Sequence, residues 1–247
     1  MSHRPDDIPA STGSFHTTRW TLVLRSGTEE PESRAALSEL CAAYWTPVFR
    51  FLRSEGRNED DSRELAQAFF ERVLTRGGIG CADPTRGRFR SYLLGALKHF
   101  LAERRRNECR EKRGGGADFE SIDREATDTQ PCLQIADPTG APSDHRFDRE
   151  WALAVMDLSL KTVQTDFARA GKGAQFDIIK PWLVGDTDLL SQADAAAKLG
   201  MSTGAVKVMI HRLRKDFRAA VEVEIAQTVP SDSDIGEELR YLIQVLS

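Results

Sequence analysis

The chain has 247 residues, of which 40% are hydrophobic and 29% charged, with a formal net charge of −4. That is enough apolar material for one large core or two small ones, and it excludes a chain disordered throughout. No run approaches the roughly 20 apolar residues that span a bilayer, so no membrane segment is expected. The opening MSHRPDDIPASTGS has no hydrophobic run after its charges, so no signal peptide is expected and the cytoplasm is the expected location. Cys41, Cys81, Cys109 and Cys132 form no CxxC pair and no histidine completes a zinc spacing, so reduced thiols are expected and no metal or cofactor.

In chain order, residues 1–14 are polar and read as a mobile arm. Helical periodicity then runs to about Arg113. Leu37, Leu40, Cys41, Tyr44, Trp45, Val48, Phe49 and Leu52 recur at three- and four-residue steps, with Pro47 expected to kink or restart the helix. Leu65, Phe69, Val73 and Leu74 form a second stripe, ended by Gly77-Gly78, and Gly77–Arg88 reads as a loop. A third helix is expected from Phe89 to Lys112, burying Phe89, Leu93, Leu94, Leu97, Phe100 and Leu101, and Gly114-Gly115-Gly116 stops it.

Residues 114–148 show no sustained period and read as a flexible acidic linker. Periodicity resumes at Trp151, with further helices near Gln175–Val184, Ser191–Leu199 and Ser202–Gln227, and Pro230 ends the last. An amphipathic tail (Ile235, Leu239, Leu242, Leu246) follows. Strand patterns are absent. The expected class is all-α: an N-terminal domain over 15–113, a linker over 114–148, a second domain over 149–229 and a helical tail over 230–247.

The sharpest local signal is the stretch from Ser191 to Arg214. Ala195, Ala196 and Leu199 face inward on a first helix, Gly200 supplies a left-handed turn, and Ser202 caps a second helix. Val206, Ile210, Leu213 and Phe217 make its buried stripe. Thr203, Lys207, Val208, His211, Arg212, Arg214 and Lys215 are left on the outer face. That is a helix-turn-helix with a recognition face able to meet base edges and phosphates. Arg212 suits a guanine edge and Val208 a thymine methyl. A solvated basic helix face is the plainer alternative.

The third helix carries a second cationic set. Arg86, Arg88 and Arg90 precede Lys98, Arg104, Arg105 and Arg106, and Phe89, Tyr92, His99 and Phe100 interleave with them. Cations for phosphates beside aromatic faces for bases are what single-stranded DNA requires. Phe89 and Phe100 are read as core residues, Tyr92 and His99 as exposed. The carboxylates gather elsewhere: in the linker, with Asp144, Asp148 and Glu150 at its end, and in the tail, with Glu237 and Glu238. The two candidate DNA faces are therefore basic despite the acidic total.

From about Thr17 to Val229 this order resembles the extracytoplasmic-function sigma factors of bacterial RNA polymerase. Glu64-Leu-Ala-Gln-Ala-Phe-Phe-Glu-Arg-Val-Leu74 is similar to the family's polymerase-docking helix, Gly87–Arg106 to its promoter-melting helix and Ala205–Arg214 to its recognition helix. The resemblance implies a domain two that melts the minus-ten element and a domain four that reads the minus-thirty-five element. It implies core RNA polymerase and promoter DNA as partners, with an anti-sigma factor or a Ser/Thr kinase as regulator. It places Lys207, Val208, His211 and Arg212 on the minus-thirty-five duplex, the Gly77–Arg88 loop at a flipped minus-ten base, and Arg63, Glu64, Gln67 and Glu71 on the polymerase.

The chain departs from the pattern where an acidic residue often follows the docking glutamine and Ala68 stands instead. Acidity is retained at Asp60, Asp61 and Glu64, and a phosphate on Ser62 would add about −1.5 to −2 charge. Gly171–Trp182 and the tail after Pro230 also depart from the pattern; the tail is open to three roles, packing on domain four, covering a DNA- or polymerase-binding face, or a small stabilising helix. The long acidic linker is compatible with a free form whose DNA faces are hidden. Two other readings stay open: a helix-turn-helix regulator acting on an operator, and an enzyme acting on nucleic acid through Asp60, Asp61 and Glu64. No base or nucleophile accompanies those carboxylates, so no enzymatic activity is expected.

Overall fold

The computed structural model describes residues 19–26, 30–75, 87–113, 142–184, 190–231 and 234–247. The N-terminal arm, most of the Gly77–Arg88 loop with Arg86, and the linker up to residue 141 lie outside the described residues. Among the described residues the protein is all-helical, 86% helix with no strands. No described helix is long and apolar enough to cross a membrane.

Helix α1 (Arg19–Ser26) is followed by α2 (Pro31–Ala43), α3 (Trp45–Ser54), α4 (Glu59–Thr75) and α5 (Phe89–Arg113). Pro31 opens α2 at the first helical position, where its missing N–H removes no bond. The long stripe breaks at Tyr44 rather than at Pro47. Pro47 sits within the first turn of α3, a position where no intrahelical donor is required. Asn58 starts α4 by accepting from the Asp61 N–H at 2.8 Å.

Helix α6 (Pro142–Arg169) begins earlier than the sequence pattern suggests. Residues 142–148, read as linker, form its first two turns, again with proline leading. Then come α7 (Gly173–Ile179), α8 (Pro181–Val184), α9 (Gln192–Leu199), α10 (Thr203–Ala226) and α11 (Ile235–Leu246).

Two buried clusters organise these helices. The larger takes Leu37, Leu40, Leu52, Phe69, Phe89, Leu93 and Leu97 from α2–α5, and joins them to Phe147, Trp151 and Val155 of α6, Val221 and Ile225 of α10, and Leu242 of α11. At its centre Tyr44 and Trp151 stack with centroids 3.7 Å apart and an interplanar angle of 5°. Phe89 lies 5.9 Å from Trp151 and 5.0 Å from Trp20. The smaller cluster holds Val163, Phe176, Ile179, Trp182, Ala195, Ala196, Val206, Ile210 and Leu213. Phe217 packs against both.

Helices α6 and α10 thus each contribute one half to either cluster. Backbone bonds tighten the join. The residues that end α10 accept from the starts of two N-terminal helices, with Trp20 N–H to the Gln227 carbonyl at 3.1 Å and Phe89 N–H to the Thr228 carbonyl at 2.8 Å. These acceptors satisfy helix N-terminal donors that would otherwise lack an intrahelical partner. The Tyr44 hydroxyl donates to Glu224 at 3.0 Å.

Candidate nucleic-acid and partner interfaces

The helix-turn-helix forms from local chemistry. Ser191 caps α9 by accepting from the Asp194 N–H at 3.1 Å, and Ser202 caps α10 by accepting from the Ala205 N–H at 3.2 Å. Between them Gly200 adopts φ 62°, ψ 34°, a left-handed conformation that costs other residues roughly 1–2 kcal/mol. Ala195 and Ala196 are buried where α9 meets α10, and their small side chains permit the close crossing.

Thr203, Lys207, Val208, His211, Arg212, Arg214 and Lys215 are all exposed, and the stripe of Val206, Ile210 and Leu213 is buried. Val208 keeps 51% of its surface open. Arg214 differs from the others because its guanidinium donates to the Trp182 carbonyl at 3.1 Å, which ties α10 to α8. A feature the sequence did not announce lies beside this face. An open cavity of about 520 Å³ is lined by Asp166 and Phe167 of α6, Met201, and Val208, Arg212 and Asp216 of α10.

The second cationic set on α5 divides. His99, Arg104, Arg105 and Arg106 are exposed. Tyr92 is only 8% exposed, packed 5.5 Å from Trp20 and 6.2 Å from Phe89, which corrects the expectation of an exposed stacking ring. Burial pushes its phenol well above the usual range, Cys41 adding to the shift.

Arg88, Arg90 and Lys98 are engaged by carboxylates from distant parts of the chain. Arg88 pairs with Glu237 at 3.0 Å and Glu238 at 2.9 Å, Arg90 pairs with Glu238 at 2.8 Å and with Asp148, and Lys98 pairs with Asp144. Arg90 is 7% exposed, so the expectation of an accessible phosphate-binding residue does not hold in this conformation. Burial opposes its charge, but Glu238 and Asp148 outweigh that and hold its pKa above the ordinary value. Tyr241 lies over the guanidinium at 4.5 Å and donates its hydroxyl to Asp148. Burial, together with that carboxylate, pushes the Tyr241 phenol up to about 12. The linker-end acids Asp144, Asp148 and Glu150 are therefore paired, Glu150 with Arg50 at 3.0 Å.

On α4, Asp60, Asp61, Arg63, Glu64, Gln67 and Glu71 are all exposed, opposite the buried Leu65, Ala66, Phe69, Phe70 and Val73. Arg63 pairs with Glu59 at 2.8 Å and Asp61 accepts from Asn58 at 2.8 Å. Ser62 belongs to the buried side instead. It is fully enclosed and its hydroxyl donates to the Asn58 carbonyl at 2.7 Å. A kinase could reach it only after α4 opened, so the expectation of a surface phosphosite there is corrected.

No family model matches the chain, and no curated protein or solved structure was found to be similar to it.

Proposed function

We propose that the chain is an alternative sigma factor that binds core RNA polymerase and directs promoter-specific initiation. The observation that carries this reading is the α9–α10 helix-turn-helix, whose outer face presents Thr203, Lys207, Val208, His211, Arg212 and Lys215 together. In this reading the α9–α10 unit serves as domain four, on the minus-thirty-five duplex. The α1–α5 unit serves as domain two, with α5 acting on the minus-ten element. Helix α4 is the docking surface, and the exposed Asp60, Asp61, Arg63, Glu64, Gln67 and Glu71 support that role because they form a polar face opposite the buried stripe. A regulator working on an operator would use the same recognition face, and would need neither α4 nor the α5 cations.

Docking is tested by charge reversal. The full chain is expected to co-elute with purified core polymerase, and Glu64→Arg with Glu71→Arg should weaken that binding by about tenfold or more, since exposed charge pairs contribute up to about 1 kcal/mol each and reversal adds like-charge repulsion. Both residues are exposed, so thermal stability should stay near wild type. Equal binding by the variant and wild type would remove α4 from the interface.

A further inference from the structure

The cations that α5 offers nearest its start are already occupied by anions of the same chain. Arg88 meets two carboxylates of α11, Arg90 lies between Glu238 of α11 and Asp148 of α6, and Lys98 meets Asp144 of α6. These contacts join positions 58 and 148 residues apart at Arg90 alone. The Arg88–Arg90 site holds two cations against Asp148, Glu237 and Glu238, so carboxylate is in excess there. Oxygen anions spaced along an extended frame and paired with guanidinium groups are also what a nucleic-acid backbone provides.

Helix α11 is held by this chemistry together with an apolar face turned to the larger cluster. Its fully buried side chains are Glu238 and Leu242. Ile235, Leu239, Tyr241 and Leu246 are only partly covered, and Ile243 is 56% exposed. A twelve-residue helix that fully buries one apolar side chain and covers the others only in part can open without global unfolding. Its ion pairs can be exchanged for others of equal charge, whereas the Tyr44–Trp151 stack has no such substitute.

We propose that α11 and the first turns of α6 form an acidic clasp, with α11 its releasable part, and that single-stranded DNA competes with α11 for Arg88 and Arg90. The inference rests on the nucleic-acid role proposed for α5. In the free chain the clasp leaves Arg105 and Arg106, farther along α5, exposed. A strand captured there displaces α11, which frees Arg88 and removes Glu238 from Arg90. Non-specific binding by the free protein is thereby kept weak.

The test uses the full chain with a fluorescein-labelled oligothymidylate, read by fluorescence anisotropy at 0.1 M salt. Glu237→Gln with Glu238→Gln is expected to bind about tenfold more tightly than wild type, because removing the competing anions releases cations for phosphate. Hydrogen exchange on the wild-type chain gives a second readout that needs no variant. Saturating oligothymidylate should lower amide protection across Leu239–Leu246 and leave that of α2 unchanged. Equal affinity of wild type and variant, or undiminished α11 protection with strand bound, overturns the clasp and leaves the nucleic-acid role of α5 in place. No binding by either protein overturns both. Should the double variant fail to fold, the exchange result alone decides.

Discussion

Trp151→Ala is expected to lower the stability of the whole chain by about 3–5 kcal/mol, the usual cost of removing a large buried aromatic side chain. Trp151 is fully buried, stacks on Tyr44 and touches Phe89 and Phe147. It is the point where α6 enters the core of α1–α5. For a chain of this size the loss corresponds to a fall in Tm of roughly 10 °C. Trp151→Phe is the informative companion. Among the described residues the buried indole Nε1 has no hydrogen-bond partner, so a phenyl ring keeps the stack without losing a described hydrogen bond, and the cost should be about 1 kcal/mol.

Calorimetry checks both variants and the assembly itself. Two separate domains on a linker would melt in two steps, and the Ala variant would lower only one. The larger cluster, spanning α1–α6, α10 and α11, predicts a single main transition that moves as a whole. A wild-type-like Tm for Trp151→Ala would contradict the shared core.

The second large effect concerns the recognition face. Lys207→Ala and Arg212→Ala are each expected to weaken binding to a duplex selected from a random pool by the wild-type chain, by roughly 1–3 kcal/mol per residue. The two losses should differ in kind. If Arg212 reads a base edge, its loss should relax sequence preference. If Lys207 meets phosphate, its loss should reduce affinity across sequences and flatten the salt dependence. Both side chains are exposed, so stability should hold.

Arg214→Ala is the contrasting control. Its guanidinium is spent on the Trp182 carbonyl, so its loss should lower stability and change sequence preference little. Unaltered duplex affinity and salt slope in both Lys207→Ala and Arg212→Ala would remove this face from DNA recognition.

What was legible in the sequence was whatever is decided locally. Gly200, Ser202 and the stripe Val206–Ile210–Leu213 fix the helix-turn-helix within two dozen residues, and the periodicity of α5 marked Phe89, Leu93, Leu97 and Phe100 as core. The fate of the α5 cations was not legible. The anions that hold Arg90 lie far along the chain, and no periodicity encodes such a pairing. Tyr92 went the same way, because the ring beside it belongs to Trp20 on α1.

Two misplacements did leave signals. Pro142 is well suited to open a helix, which marks the start of α6 inside the supposed linker. Ser62 continues the stripe of Leu65, Ala66, Phe69 and Val73 at helical spacing, and a small hydroxyl bonded to the carbonyl four residues back is compatible with burial. Its polarity masked that position. Breaks in helical periodicity and the composition of residues 114–148 divide the sequence in two, and the larger cluster takes residues from both sides of that division.

The central claim is that this chain directs polymerase to promoters. The most direct measurement is transcription by purified core polymerase, with and without the chain, on a library of templates. Initiation from a small set of start sites, present only with the chain and lost with Arg212→Ala, is the predicted result. Unchanged polymerase output, together with duplex binding by the chain alone, would contradict the claim and favour an operator-binding regulator.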